Sequence, residues 1–411
     1  RQSDEDIATR QKKALEKAFE QPIWRKFTDY MRAQIEQRWF DGVTKLLPFG
    51  DITPGNKVHI FTDGDAYLTE VWDAIRNAKT RVWVEVFTIV NDRVGNTTLQ
   101  LLEEAAARGV EVIFIYDYVG SINFDPGTTL KSFDNAYVGV YNPLFPLWQK
   151  TAPVFARDHR KVIIVDDVGF CGGRNLSEAY GGSETGGSVQ YHDINVKLQG
   201  PSVGDLARAV LGSLYLIDPE IAAKKETPPR LCLDGSLYSG QQTPADVDTA
   251  TGDSDQAANV EVAKHDPTTI DGEHEPDGVL VQVLRQNMRH ELRSIDKAIR
   301  IILRDVAADR CFVTTPYFLP TPKMRRDIIK ARRNGVDVRI LTPGQPLTIQ
   351  EDIVMNFLAH RAHRHIYGKF LEEGVRIFED SAALHSKTKT TTTTKTNQAS
   401  KPQREREHRS E

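Results

Sequence analysis

Short apolar runs alternate with amphipathic stretches from Lys57 onward, an order typical of α/β proteins. The predicted strands in the first half are 58–61, 81–90, 110–116 and 192–198. One predicted helix carries Leu68, Val71, Trp72 and Ile75, with Asp65 as its N-cap, and another covers 97–108 and ends at Gly109. Residues 119–150 are rich in loop-forming residues. The fold class predicted for this half is therefore α/β.

The same order of elements returns after residue 278. The predicted strands are 279–284, 311–318 and 336–341, and the predicted helices are 291–303 and 324–334. Gly109 and Gly335 each end a predicted helix and precede a predicted strand, in two segments of similar sequence. The two glycines lie 226 positions apart. The same offset relates His159 to His385, and each of these histidines begins an H-x-K pattern. Two independent anchors at one offset predict a duplicated domain with one reactive histidine per half.

The first H-x-K pattern lies in a predicted hairpin. His159, Lys161 and Asp166 have H-x-K-x4-D spacing, a β-branched block fills 162–165, and a turn leads to a second strand at 168–171. Because side chains two apart on a strand share a face, His159 and Lys161 should point together and Arg160 away. The imidazole can attack phosphorus or transfer a proton while the ammonium neutralises phosphate oxygens, so the pair suits phosphate chemistry.

Two glycines and an asparagine follow the hairpin. Gly172 and Gly173 allow a backbone to approach closely, and Asn175 can donate to an oxyanion or hold the histidine. H-x-K alone favours an incidental histidine in a structural hairpin. The complete set of residues favours a phosphate-binding active site over that alternative.

The second pattern is incomplete. Thr392 stands where an aspartate would match Asp166, and beyond Leu384 the only aliphatic or aromatic residue is Ala399. A buried strand needs apolar side chains, so we expect the second half to lack the strand, the glycine pair and the asparagine. The expected organisation has an incomplete second domain at 278–388, a low-complexity tail at 389–411 and a truncated chain.

The remaining segments differ in composition from these domains. Residues 1–55 predict a basic amphipathic helical segment that either lies on an anionic membrane surface or docks on the body of the protein. Residues 218–277 are acidic and predict a solvated, largely disordered insertion after a first domain at 56–217.

Overall composition excludes several classes. The formal net charge of −4 gives no reason to expect nucleic acid as a partner, and the three scattered cysteines give no structural zinc site and favour a reduced compartment. No apolar run reaches the roughly 18 residues that span a bilayer.

The histidine-lysine-aspartate pattern with its glycine pair and asparagine resembles the phospholipase D superfamily, although one residue fewer separates Asp166 from Gly172 than is usual there. Several further segments look like bacterial-type cardiolipin synthases: 61–65, 108–112, 116–121, 172–175, 200–201 and 316–320. The resemblance implies two phospholipase D-like α/β/α sandwich domains packed face to face, with the second apparently truncated.

The resemblance also implies a mechanism without metal or cofactor. One of His159 and His385 would form a phosphohistidine and the other would protonate the leaving alcohol. Lys161 and Lys387 would hold phosphate oxygens, Gly173 and Asn175 would support the substrate, and Asp166 would maintain the geometry of the motif. Glu85, inside an apolar strand, would either orient a histidine or form an ion pair.

The implied donor is phosphatidylglycerol or a similar phospholipid at a membrane surface, mitochondrial in a eukaryote and the inner membrane in a bacterium. A lipid acceptor gives cardiolipin, whereas water as acceptor makes the same site a phospholipase D. The other open alternatives are an inactive truncated homologue that only binds lipid or a partner, and a nuclease of the same superfamily, which the acidic charge balance disfavours.

Overall fold

The computed structural model of the chain describes the fold of both halves. It covers residues 37, 41–42, 45–46, 49–144, 157–187, 191–233, 235–238, 278–287, 292–344, 360–362, 364–380 and 388–392. Most of the predicted N-terminal helical segment, most of the acidic insertion, His385 and Lys387 lie outside these residues.

Eight strands form one mixed sheet in the order β4-β3-β2-β5-β6-β7-β1-β8. They are β1 (Ile52–Phe61), β2 (Arg81–Val86), β3 (Glu111–Asp117), β4 (Ala136–Tyr141), β5 (Lys161–Val165), β6 (Val168–Gly172), β7 (Asn195–Gln199) and β8 (Val279–Gln282). β2, β3 and β4 are parallel, and β5 returns antiparallel to β2. The predicted hairpin of β5 and β6 is confirmed. β4 lies in the region predicted to be loop-rich.

Helices cover both faces of this sheet. They are α1 (Gly64–Asn77), α2 (Arg93–Ala107), α3 (Ser202–Ile217) and the short α4 (Pro219–Ala222). α1 and α2 bury one face around Val84, Phe114 and Phe170, and α3 buries part of the other around Trp83 and Ile164. The first half is therefore an α/β/α sandwich.

The predicted cap of α1 is wrong. Asp63, not Asp65, has extended backbone geometry just before the helix, and its side chain accepts the Ala66 amide at 2.8 Å. Asp65 already lies inside the first turn. Its carboxylate instead accepts the backbone amides of Glu184 and Thr185.

The second half builds a smaller sheet in the order β13-β12-β11-β14. Its elements, with the preceding two-stranded ladder, are β9 (Gln286–Asn287), β10 (Leu292–Arg293), α5 (Ser294–Ile301) with a π-helical turn (Ile302–Val306), β11 (Arg310–Thr314), α6 (Pro322–Arg333), β12 (Asp337–Pro343), α7 (Tyr367–Glu372), β13 (Arg376–Asp380) and β14 (Thr388–Thr392). The helices pack around Val313, Ile328 and Ile340.

Strand register confirms the repeat for four strands. β13-β12-β11-β14 has the order and directions of β4-β3-β2-β5. Glu111 and Asp337 begin equivalent strands opposite Arg81 and Arg310, and they differ by 226 positions. Four residues further along β2 and β11, the partners are Val162 and Thr388, which again differ by 226. The face-to-face packing of two complete sandwiches stays a prediction.

The expectation that the second half lacks the strand after its H-x-K pattern is wrong. Thr388–Thr392 form β14 and pair antiparallel with all of β11. Threonine is β-branched and favours extended backbone, and in the described sheet β14 is an edge strand, where burial on both faces is not required.

The start of the predicted disordered insertion is folded. Asp218 caps α4, Ala222 is buried, and Arg230 pairs with Asp51 and with Asp205 of α3. These charge-assisted hydrogen bonds attach a segment that has few apolar residues to the first domain. Residues 239–277 lie outside the described part.

Candidate active site

His159 and Lys161 meet at the carboxyl edge of β2. Lys161 begins β5 and pairs with Val86, the last residue of β2. Its Nζ lies 3.2 Å from His159 Nδ1 and donates to the His159 carbonyl oxygen at 2.9 Å. Both side chains contact Phe87, with ring centroids of Phe87 and His159 4.5 Å apart and Lys161 Nζ 5.1 Å from the Phe87 centroid. The prediction that His159 and Lys161 share a face is confirmed.

This pair is suited to a phosphate group. Lys161 is only 6% exposed, and a cation shielded from water attracts an anion more strongly than an exposed one. The adjacent imidazole can attack phosphorus or transfer a proton. Ligand sites of α/β sheets commonly lie beyond the carboxyl ends of parallel strands, which is where this pair is placed.

The glycine pair permits the close approach that the sequence predicts. A side chain at Gly173 would overlap the Asp193 carboxylate, and one at Gly172 would overlap the Ile194 carbonyl oxygen. The Gly173 amide donates to the Ile194 carbonyl at 3.1 Å. The glycines thus bring Asp193, which is 3% exposed, against the end of β6.

Asn175 connects this wall to the loop after β2. Its Oδ1 accepts the Thr88 amide at 3.3 Å and its Nδ2 donates to the Tyr180 hydroxyl at 3.0 Å. Thr88 follows Phe87, on which His159 and Lys161 pack. Asn175 therefore holds the backbone next to Phe87, the ring on which His159 and Lys161 pack.

Asp166 lies away from the pair, at the far end of β5. Five residues of strand separate the two ends, about 16 Å at 3.3 Å per residue. Its carboxylate accepts the amides of Lys79, Thr80 and Arg81 and the Thr80 hydroxyl, at 2.7–3.1 Å. Burial by itself raises the pKa of Asp166, but the Thr80 and backbone hydrogen bonds outweigh it and lower the pKa. Asp166 thus fastens the hairpin turn to the start of β2.

Several known proteins are similar to this chain. The family model described as "Cardiolipin synthase, PLD-like domain" matches residues 301–396, which include β11 to β14 and the second H-x-K pattern. Cardiolipin synthase A of Pseudomonas fluorescens SBW25 is 28% identical over 295 residues, 71% of this chain and 51% of the relative. The cardiolipin synthase of Listeria monocytogenes HCC23 is 26% identical over 348 residues, 82% of this chain and 60% of the relative. Over these residues the chain is similar to phospholipase D-like cardiolipin synthases.

One solved structure has a similar fold. The crystal structure of phosphatidylserine synthase from Haemophilus influenzae Rd KW20 aligns with a TM-score of 0.52 and 14% identity, over 86% of this chain and 80% of that one. This likeness concerns the fold alone. The chain spans about half to three fifths of the length of the curated cardiolipin synthases described above.

The second phospholipase D motif is described only from its strand onward. β5 starts at the motif lysine Lys161, and β14 starts one residue after Lys387. Val162 and Thr388 are equivalent by register. Thr392 is the counterpart of Asp166 by the same offset. His385 and Lys387 lie outside the described residues, so their place at the site stays a prediction.

A buried acid pair lies on the opposite face of β5. Arg160 points away from His159, as predicted, and its guanidinium donates to Ser213 Oγ at 2.6 Å and lies 3.5 Å from Glu85 Oε1. Asp158 accepts the Arg160 amide at 3.0 Å and the Ser213 hydroxyl at 3.2 Å. Of the two partners expected for Glu85, a histidine or a cation, the structure shows the cation, Arg160.

The pKa values of Glu85 and Asp158 are shifted in opposite directions. Burial, reinforced by the Asp158 charge, raises the pKa of Glu85 well above its ordinary value. Burial also raises the pKa of Asp158, but Arg160 and a hydrogen bond from Glu85 outweigh it and leave that pKa lowered. Glu85 therefore carries the proton, and the network fixes the backbone immediately before His159.

Sequence reasoning missed the contact between the two halves. The ring centroids of Tyr180 and Tyr191 lie 5.0 Å apart with the rings tilted, and Tyr317 of the second half packs against them. His192 Nδ1 lies 4.0 Å from Asp380 Oδ2. The polar Tyr-His-Asp sequence before β7 was a signal for such a contact, but its partners are distant in sequence.

Replacing Asp166 with alanine should destabilise the protein by about 2–3 kcal/mol at neutral pH, because its charged hydrogen bonds are lost. Since its pKa is lowered on folding, this contribution is present above 3.8 and disappears as the pH falls through the folded-state pKa. Urea unfolding at several pH values measures both effects. The neighbouring, exposed Asp167→Ala is the control, and equal losses in the two variants would contradict the assigned role.

Replacing Glu85 with glutamine should flatten part of the pH dependence of stability. The folded state holds a proton on Glu85 that the unfolded chain releases near pH 4.5. The protein's free energy of unfolding therefore falls as the pH rises above that value. Glutamine cannot ionise, so the variant's free energy of unfolding should fall less than that of the wild type between about pH 5 and about pH 8. Exposed Glu104→Gln is the control; parallel wild-type and Glu85→Gln curves would refute the assignment.

Proposed function

We propose that the protein is a phosphatidyltransferase that forms cardiolipin from phosphatidylglycerol-type phospholipids through a phosphohistidine intermediate. The observation that carries this proposal is the contact of Lys161 Nζ with the His159 ring, 3.2 Å apart, in a chain related to cardiolipin synthases. That pair combines a nucleophile or proton carrier with a fixed positive charge, as phosphodiester exchange requires.

The proposed reaction has two displacements at one phosphorus. One imidazole of His159 and His385 attacks the phosphodiester, and the bond from phosphorus to the glycerol headgroup breaks as the other imidazole donates a proton to that oxygen. The hydroxyl of a second phosphatidylglycerol then gives its proton back to that imidazole and attacks phosphorus. The phosphorus–nitrogen bond breaks, which releases cardiolipin and restores both histidines.

The other residues have supporting roles in this proposal. Lys161 and Lys387 hold the non-bridging oxygens, and Asn175 and Gly173 shape the wall beside them. Asp166 acts at a distance through the hairpin turn, since its carboxylate binds backbone amides at the other end of β5. For this reason the replacement of its counterpart by Thr392 removes no group from the proposed phosphate site.

The place of action follows from the substrate. Donor and acceptor are both lipids, so the protein would work at a membrane surface, at the bacterial inner membrane or a mitochondrial membrane according to its source. In the described residues, no helix combines the length and apolar character needed to cross a bilayer. The basic N-terminal segment is a candidate surface contact, and residues 1–36 of it lie outside the described part.

Incubation with phosphatidylglycerol labelled in its acyl chains tests the function. Labelled cardiolipin with release of glycerol supports the transferase. Labelled phosphatidic acid shows that water is the acceptor and the protein is a phospholipase D-type hydrolase. If neither product forms while the protein binds the vesicles, it is an inactive homologue that only binds lipid.

A further inference from the structure

An apolar cavity of about 640 Å³ adjoins the proposed phosphate site on the α3 side of the first sheet. Its floor is the sheet surface at Val162, Val196 and Leu198, and α3 forms one wall with Leu206 and Ala209. Residues 280–286, which run from the edge strand β8 to the start of β9, form the opposite wall. The cavity exists because α3 covers only part of this face of the sheet.

The two ends of the cavity differ in chemistry. One end is lined by 159–161 at the edge of the sheet, where Arg160 contacts α3 and the proposed phosphate-binding pair, His159 and Lys161, reaches the same edge from the other face. The other end opens at Val58, Leu280 and Ile295, which are 39%, 58% and 42% exposed. Ile60 follows Val58 on the same face of β1 and is 60% exposed, so it extends this apolar mouth. A cluster of exposed aliphatic side chains is typical of a surface that meets an apolar partner.

We infer that this cavity holds an acyl chain of the phospholipid whose phosphate lies at His159 and Lys161. The inference rests on the proposed function. A ligand that is anionic at one end and apolar along its length matches the basic end and aliphatic walls, and the volume lies within the range of about 300–1,000 Å³ found for ligand pockets. The mouth would face the bilayer, so a lipid could enter chain first.

The length of the acyl chain should therefore affect turnover. Each methylene buried in such a cavity contributes roughly a factor of four to affinity. Long-chain phosphatidylglycerol should be preferred over a short-chain analogue, and that preference should depend on the cavity floor.

Val196→Trp places a bulky ring in the middle of the floor and should lower kcat/KM for dioleoyl-phosphatidylglycerol at least tenfold more than for dihexanoyl-phosphatidylglycerol. Leu371→Trp is the matched control, because Leu371 is 53% exposed on α7 and does not line the cavity. Urea unfolding verifies that the variants are folded. An equal effect on both lipids, or no effect, would overturn the inference.

Photocrosslinking tests the cavity without turnover. Phosphatidylglycerol with a diazirine at the end of one acyl chain should label peptides containing 280–286 or β7, whether or not the wild-type protein forms product. Labelling confined to other peptides would sink the cavity assignment. Absence of product with correct labelling would instead refute the proposed function alone.

Discussion

His159→Asn should abolish phosphatidyl transfer, with kcat reduced by about 10³-fold or more. Asparagine can neither attack phosphorus nor donate a proton to the leaving oxygen, so either role of His159 is lost. Asparagine is polar and uncharged but smaller than histidine. It therefore reduces the contact with the Phe87 ring without adding a charge there. Turnover of labelled phosphatidylglycerol under single-turnover conditions measures the effect, and binding to lipid vesicles should change little.

A second histidine provides the control for that experiment. His59 lies on β1, is exposed, and its ring packs edge-on against Phe61 at 4.5 Å. His59→Asn should keep wild-type activity. If His159→Asn retained more than about a tenth of the wild-type rate, the proposed role of His159 as nucleophile or proton donor would be refuted.

Lys161→Met should lower kcat by about 10²- to 10³-fold, the magnitude typical of losing one preorganised charge that stabilises a developing anion. Methionine keeps the length and apolar stem of the side chain, so packing on Phe87 is largely preserved. The Michaelis constant should change less than kcat, since the charge on phosphorus oxygens grows in the transition state.

Lys197→Met is the matched control for this charge. Lys197 lies on β7 of the same sheet and pairs with Glu70, away from the His159 pair. Its replacement removes the same charge from the protein but should leave kcat within about threefold of wild type. Similar losses in the two variants would show that only the net charge matters, against a specific role for Lys161.

The local parts of this fold could be predicted from sequence. The hairpin of β5 and β6 depends on a β-branched block and a two-aspartate turn, both within ten residues. Helix α3 has Leu206, Val210 and Leu214 at helical spacing, and this pattern was available but not used in the prediction.

Pairing over long distances could not be predicted from the same patterns. β14 consists of threonine and lysine, and only its pairing with β11, about eighty residues earlier in the sequence, makes it a strand. The partners of one buried acid could not be predicted either. The sequence places Glu85 in an apolar strand, but its partners Asp158 and Ser213 come from different elements.

The candidate site shows the same division. His159 and Lys161 share a face because of strand geometry, which the spacing alone dictates. Asp166 illustrates the limit, because its spacing marked it as part of the motif while its hydrogen bonds place it at the opposite end of the strand. Asp193 and Tyr317 were not assigned to the site, since their contacts depend on how loops of the two halves meet.

A crystal structure with bound tungstate, a stable mimic of a phosphate in transfer, tests the central claim most directly. The account predicts one anion held by Lys161 Nζ and by the rings of His159 and His385, each at about 3 Å. An anion bound elsewhere, or a His385 ring on a surface separate from His159, would contradict it.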